Sequence, residues 1–233
     1  MSDFQYTGDD VLDIMEKYAP NRNSSIEKLI VFHLGLDETG EQLRVLEFGA
    51  GRGEFIKRLI NRKNLELIAV DTDLSYIRRL SEHVKAYSSI DEVPGELDCI
   101  YLIDVLEHLE DDNYFLKRFY DKLKKNGKLF IYVPARMELY SAFDKKIGHF
   151  RRYIKSELKT KVSEAGFEIK VVRYHELLGY LASYMNKMSS KSPDLSISSV
   201  KVYDKVLVPT TNFIERFIHV PIGKSIYLSA VKK

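Results

Sequence analysis

Three glycines in five positions, Gly49, Gly51 and Gly53, separate an apolar run from a helical pattern, and this junction restricts the fold more than any other stretch of the chain. Arg44-Val45-Leu46-Glu47-Phe48 reads as a buried strand and residues 54–60 as a helix. A strand that turns into a helix within so few residues needs glycine where the backbone bends and where a ligand comes close to it. The helix start behind such a turn offers free N–H groups. The same rhythm recurs downstream. An apolar run over 65–70 ends at Asp71, and a helix is predicted from Leu74 to His83; a short strand follows near Val84 to Tyr87. Leu97 to Ile103 is the most strand-like run. After it, a helix is predicted over 111–125 with its stop at Asn126-Gly127, then a strand over 128–133. Strands alternating with helices through short turns demand parallel pairing with right-handed crossovers, so the expected fold is a doubly wound α/β sheet.

The flanks extend this plan. Val11, Leu12, Met15 and Tyr18 recur at helical spacing, so a short amphipathic helix over 9–18 is closed by Pro20, and a second helix is expected to start near Ser24 or Ser25. Residues 156–165 read as a helix stopped by Gly166, 167–174 as a strand, and 177–220 as mostly helical with a Ser-rich mobile break over 189–199. A last strand is expected over 225–231. With 233 residues, no apolar run near the ~18 needed to span a membrane and an acidic start, a soluble cytoplasmic protein is expected. The single cysteine, Cys99, excludes disulfide scaffolds and Cys-rich metal sites and reads as packing. Charge is uneven. Residues 1–135 carry 18 Lys and Arg against 25 Asp and Glu, and residues 136–233 carry 18 against 9, so an anionic partner is expected at the C-terminal part.

The glycine cluster spaces its third glycine one residue earlier than the dinucleotide pattern G-x-G-x-x-G. Glu47, two positions before Gly49, would repel a pyrophosphate and suits a ligand carrying an ammonium group. Asp71 ends the second strand, where a carboxylate can accept hydrogen bonds from both hydroxyls of a ribose. Its blander role is that of a helix N-cap or a surface residue, Asp73 next to it being able to cap the following helix just as well.

Val45 to Gly53, Ala69-Val70-Asp71 and Asp104 to Asp112 together resemble the successive motifs of class I S-adenosylmethionine-dependent methyltransferases. Ala19-Pro20-Asn21-Arg22-Asn23, Val133-Pro134-Ala135, Gly148-His149-Phe150-Arg151-Arg152-Tyr153, Phe167 and Pro221-Ile222-Gly223-Lys224-Ser225 narrow the likeness. They resemble a type 11/12-like subgroup often associated with glycosyltransferases of cell-surface and lipid-linked sugars. The resemblance implies a Rossmann-like seven-stranded sheet of order 3-2-1-4-5-7-6 with the last strand antiparallel and a helical insertion over about 177–223. It implies one domain over 1–233: a helical flap at 1–43, a cofactor-binding half at 44–135 and a substrate-side half at 136–233. It places Glu47 near the cofactor's ammonium, Gly49, Ala50 and Gly51 against its methionine and ribose, and Asp71 on the ribose hydroxyls. Thr72 lies beside the adenine, Ser89 stands where the family usually has an Asp for the adenine amino group, and Asp104 and Val105 line the wall near the sulfonium. Arg22 stands where a Tyr is common.

The expected reaction is methyl transfer from S-adenosylmethionine to an oxygen or nitrogen of a small acceptor, anionic or linked to a sugar or lipid, with no nucleic-acid partner. His149 and His108 are the candidate proton acceptors, since imidazole titrates near neutrality. Arg151, Arg152 and Tyr153 are the candidate acceptor-binding residues; bracing by ion pairs is the alternative for one of the two arginines. Asp104-x-x-Glu107-His108 would share one face of a helix start, as in the Glu-x-x-Glu-His of quinone and small-RNA 2′-O-methyltransferases. The sequence places no further ligand beside it, so no metal site is expected. The apolar stripes of the insertion, Leu178, Leu181, Tyr184 and Met185 and then Phe213, Ile214, Phe217 and Ile218, read as core or lid, with a lipid-surface contact as the lesser reading. An NAD(P)-dependent oxidoreductase and a cofactor-binding module without catalysis are the competing classes.

Overall fold

The computed structural model describes residues 9–38, 40–188 and 196–233. Helix α1 (Asp9–Tyr18) and helix α2 (Pro20–Leu34) precede strand β1 (Leu43–Phe48), helix α3 (Ile56–Leu59), strand β2 (Leu65–Val70), helix α4 (Leu74–Leu80) and strand β3 (Lys85–Tyr87). Strand β4 (Leu97–Ile103), helix α5 (Asp112–Lys122), strand β5 (Leu123–Pro134), helix α6 (Ala142–Lys146), helix α7 (Lys155–Glu164) and strand β6 (Phe167–His175) follow. Helices α8 (Leu177–Met188), α9 (Ile197–Val202) and α10 (Val208–Glu215), the last two joined by a π-helical turn, lead to strand β7 (Ser225–Lys232).

The sheet has the order β3-β2-β1-β4-β5-β7-β6, with β7 antiparallel to both neighbours and the other pairs parallel. This is the expected Rossmann-like topology. The central strands are apolar on both sides because helices cover both faces: Leu46, Ile100 and Ile131 pack on one, and Val45, Tyr101 and Phe130 on the other. Cys99 lies in the second layer, 2% exposed, as packing.

Several boundaries differ from expectation; α3 spans only Ile56–Leu59 and α4 ends at Leu80 rather than His83, and two others have a clear physical cause. Helix α2 begins at Pro20 rather than near Ser24, because proline at the first helical position forgoes an N–H that would have no partner there. Helix α5 ends at Lys122, and Leu123 already pairs with Leu97. Leu123 is fully buried, and that burial draws it into the sheet; the positive φ of Asn126 (63°) then bends β5 instead of ending a helix. Most of the Ser-rich break expected at 189–199 lies outside the described residues, and Ser196 caps α9 by accepting from the Ser199 N–H. None of the described helices is long and apolar enough to cross a membrane.

Crossover connections bring the C-terminal ends of β1, β2, β4 and β5 to one edge, and the antiparallel β7 brings its N-terminal end there as well. Gly223 makes this last arrangement possible. A Cβ at that position would lie 2.2 Å from the His175 carbonyl oxygen, which is backbone and cannot turn away. Gly223→Ala should therefore destabilise the protein by about 2 kcal/mol or more, seen as a lowered denaturation midpoint with an unchanged m-value. An unshifted midpoint would show that the β6 end and the β7 start do not need this approach.

Candidate active site

A cavity of about 1430 Å³ opens along that edge. Its first wall is the glycine turn. Gly49 and Ala50 donate their N–H groups to the Val70 carbonyl at 2.8 and 3.1 Å, which lashes the turn to β2. Gly49 has φ +72°, and a Cβ there would stand 2.5 Å from a methyl of Val105, so only glycine fits. Asp71 accepts from the Gly51 N–H at 2.7 Å through one oxygen and from the Asp73 N–H at 2.9 Å through the other. Burial raises its pKa, with those hydrogen bonds acting in opposition. Each oxygen retains a second lone pair for a ligand hydroxyl. Asp73, as expected, caps α4.

Glu47 lies at the floor, 3% exposed, accepting from the Tyr101 hydroxyl at 3.0 Å. Burial pushes its carboxyl up to about 8. Ala50, Thr72, Ser89 and Val105 also line the cavity, and Ser89 caps a short turn by accepting from the Asp91 N–H. The basic residue of the glycine turn points elsewhere: Arg52 pairs with Asp9, Asp13 and Glu16 at 3.0–3.3 Å and so holds α1 over the opening. Glu16, Glu47, Glu54, Asp71, Asp73 and Asp104 therefore give this end of the cavity a carboxylate lining.

Beside the glycine turn, Asp104 follows β4 with φ +53°, a conformation that Asp tolerates better than most residues. Arg22, buried beneath α2, donates to Asp104 at 2.8 Å and to Glu176 at 3.1 Å. Those two carboxylates hold its pKa well above the ordinary value against the opposing effect of burial. Glu176 also accepts from the Tyr203 and Ser225 hydroxyls.

Between these walls the loop after β5 meets the loop after β4. His149 places its Nδ1 2.9 Å from Asp144, whose carboxyl is held well below the usual range by hydrogen bonds and charge from His149 and Arg152, against the effect of burial. An ionised carboxylate only accepts, so Nδ1 carries the proton in the neutral ring and Nε2 has the free lone pair. That Nε2 lies 3.6 Å from Glu107 and the ring stands edge-on to His108, centroids 4.6 Å apart. Burial, reinforced by His149, pushes His108 down to about 4. Glu107 is fully buried, and neither of its oxygens has a hydrogen-bond partner. Burial raises its carboxyl pKa well above normal, and Asp104 adds to this.

One ligand atom each from Glu107, His108 and His149 lies within 4.8 Å of the others, a grouping that suits a metal ion. His149, 41 residues beyond His108, supplies the further ligand that the sequence leaves unplaced. Asp104, the first residue of the motif, turns instead to Arg22.

The paired arginines divide. Arg152 lines the cavity but is 9% exposed and donates to Asp144 at 2.7 Å and to the Ala135 carbonyl. Arg151 points to Asp112 at 2.9 Å and to the Glu110 carbonyl, and the Tyr153 hydroxyl donates to Asp112 at 2.8 Å. Neither Arg151 nor Tyr153 is among the lining residues. They brace α5, because alternate side chains of an extended segment leave on opposite sides and Asp112 attracts those on one. Sequence reasoning also missed Asp144 and Glu176. The Arg22 partner of Glu176 is 154 residues away, so no local spacing marks Glu176; Asp144, three residues after Ser141 in a capping box and five before His149, does carry a local signal.

Comparison with known proteins adds a family. A model described as a methyltransferase domain matches residues 11–171. A ubiquinone biosynthesis O-methyltransferase from Parvibaculum lavamentivorans is 24% identical over 219 residues, covering 82% of this chain and 84% of its own. The crystal structure of a SAM-dependent methyltransferase from Archaeoglobus fulgidus superposes with a TM-score of 0.61 at 22% identity, covering 95% of this chain and 99% of the other. Phosphoethanolamine N-methyltransferase 2 of Haemonchus contortus, in complex with S-adenosyl-L-methionine, gives 0.60 at 18% identity over 89% of this chain. The match spans about half of that longer chain, 52%.

Glu47 generates a stability prediction. Its pKa is about 8 when folded and near 4.5 when unfolded, so stability is fully present below pH 4.5 and is lost as pH rises towards 8. Glu47→Gln removes that loss. Melting curves of the ligand-free protein should show the variant gaining on the wild type at pH 8 and much less at pH 5; an equal difference at both would refute the raised pKa.

Proposed function

The chain belongs to the methyltransferase-domain family and is an S-adenosylmethionine-dependent methyltransferase, and from that premise we propose that it methylates an oxygen or nitrogen of a small acceptor that is anionic or linked to a sugar or lipid. The carboxylate lining of the glycine-turn end carries the assignment of the cofactor site. A pyrophosphate would find acidic side chains and no cation of the turn free to pair with it, whereas a ligand with an ammonium, a sulfonium and a ribose suits them, its ammonium favouring the ionised form of Glu47. The oxidoreductase reading falls with this and with the family match.

On this reading Glu47 holds the ammonium, and Gly49, Ala50 and Gly51 cradle the methionine and ribose. Asp71 takes the ribose hydroxyls, Thr72 and Ser89 flank the adenine, and Asp104 and Val105 form the wall near the sulfonium. Residues 1–43 act as the flap, 44–135 as the cofactor half and 136–233 as the acceptor half of one domain. The bound cofactor supplies a methyl already electrophilic on its sulfonium. The chain's own work is alignment and exclusion of water: α1, latched by Arg52, covers the opening, and the Arg22 pair fixes the Asp104 wall.

Calorimetry tests the assignment. S-adenosylhomocysteine should bind the wild type, and Asp71→Ala should weaken it about tenfold or more, the loss expected for charge-assisted hydrogen bonds of ~1.5–3 kcal/mol. Tighter binding of NADH than of S-adenosylhomocysteine would overturn it.

Where the acceptor is a hydroxyl, His149 is the base, its tautomer set by Asp144; His108 is the alternative. A second reading is favoured by one observation, the unpartnered buried carboxylate of Glu107 facing two imidazoles. One carboxylate and two imidazoles, with His149 braced by Asp144 from behind, fit a divalent transition-metal ion that would polarise an acceptor oxygen. The ubiquinone O-methyltransferase relative makes an oxygen acceptor the fitting case for it. Chelator-treated protein dialysed against manganese or zinc, desalted and measured by plasma mass spectrometry should retain about one ion under this reading and lose it in Glu107→Gln. Retention of none leaves His149 acting as a base without metal.

A further inference from the structure

The cations along the cavity are almost all spent on partners. Arg22 serves Asp104 and Glu176, Arg52 serves the acidic face of α1, Arg152 serves Asp144, and Lys187 donates to the carbonyls of Glu138 and Tyr140. Lys224 differs. It lines the cavity, yet among the described residues its ammonium has no hydrogen bond and no ion pair; it lies 4.8 Å from the centroid of the Tyr203 ring, within the fields of Glu176, Asp104, Arg22 and Arg152.

The position of Lys224 is fixed from both sides. Its N–H donates to the Glu176 carbonyl at 3.3 Å, its own carbonyl accepts from the Ala135 N–H at 2.8 Å, and Gly223 beside it lies against the His175 backbone. Glu176, the carboxylate whose charge acts on it most, already accepts from the Arg22 guanidinium, the Tyr203 hydroxyl and the Ser225 hydroxyl. That carboxylate therefore gives Lys224 a field without a contact. Burial accordingly lowers the lysine's pKa. An ammonium carried by a fixed backbone on a cavity wall, partly buried and left without a contacting anion, is a site for an anion brought by a ligand.

We propose that Lys224 anchors an anionic group, a carboxylate or a phosphate, on the methyl acceptor, and that this contact selects the acceptor. The proposal rests on the reading of the cavity as the methyl-transfer site. It also moves the anion site from the Arg151-Arg152 pair, whose guanidinium groups are engaged by Asp112 and Asp144, to the start of β7. The apolar side chains of Leu139, Phe143, Ile147 and Leu207 also line the cavity and suit the body of such an acceptor.

The full-length chain saturated with S-adenosylhomocysteine is titrated with benzoate, phenyl phosphate and the neutral benzyl alcohol, followed by ligand-observed NMR. One anion or both should bind about tenfold more tightly than the alcohol, and the two arms separate carboxylate from phosphate. Lys224→Met should abolish the preference at unchanged S-adenosylhomocysteine affinity, and Lys224→Arg should keep it. In the wild type, acetylation of Lys224 followed by mass spectrometry should be slowed by the preferred anion and not by the alcohol, which gives a readout without any variant. No anion preference in the wild type, a preference that survives in Lys224→Met, or no protection from acetylation overturns the proposal. Failure of S-adenosylhomocysteine to bind at all overturns the methyl-transfer reading beneath it.

Discussion

Arg22 is the guanidinium around which the two halves of the cavity are assembled. It reaches from the start of α2 to Asp104 at the end of β4 and to Glu176 just after β6, elements separated by 82 and 154 residues from it. Its ring neighbour, Tyr132 of β5, lies 5.5 Å away. A buried pair of this kind adds little net stability, because desolvation offsets most of the Coulombic gain; loss of one partner is costly, on the order of 3–5 kcal/mol, because it leaves a charge uncompensated. The consequence is geometric. Asp104 keeps its left-handed backbone, Glu176 keeps its own positive φ of 64°, and both loops stand at fixed positions on either side of the cavity. The Asp204 carboxylate accepts from the Asn21 and Arg22 N–H groups, so the helical insertion is tied to the same helix start.

The antiparallel β7 extends this arrangement. In a fully parallel sheet only strand ends and the loops following them reach the ligand edge. Reversal of the last strand brings a strand beginning there instead, and with it Lys224 and Ser225. The close approach at Gly223 then holds this strand start against β6. The cavity wall at the start of β7 is thus made by topology, while the glycine turn and Asp71 are made by local sequence.

That distinction explains what the sequence discloses. The glycine turn, Glu47 and Asp71 act through residues close in sequence or on adjacent parallel strands, where the alternation of strand and helix places them together. The sheet order came through resemblance across the motifs, and the contact pattern of all seven strands agrees with it. By contrast, Gly-His-x-Arg-Arg-Tyr shows five polar or aromatic groups in a row without saying which side each takes. Asp112 and Asp144 decide that: Arg151 and Tyr153 turn to the first, His149 and Arg152 to the second. Asp112 has no spacing that marks it as a partner, and the capping-box spacing of Asp144 to Ser141 points to a helix start rather than to His149 and Arg152. Likewise, Asp104-x-x-Glu107-His108 suggested one shared helical face. The turn after β4 is a short 3-10 helix, so Asp104 faces Arg22 while Glu107 and His108 face His149.

The charge asymmetry of the chain takes on a narrower meaning in three dimensions. The C-terminal part carries 18 basic against 9 acidic residues, yet its Arg152 meets the cavity already neutralised by Asp144. Much of the excess is on exposed lysines such as Lys159, Lys201 and Lys205, whose fields are screened within about 8–10 Å at ordinary ionic strength. A bulk charge imbalance therefore does not locate an anion site. Local surroundings differ more: acidic side chains line the glycine turn with its nearby arginine turned away, and the Lys224 ammonium before β7 has no ion pair among the described residues. The two ends of one cavity thereby differ in the charge they present, acidic side chains at the glycine turn and the Lys224 ammonium at the start of β7.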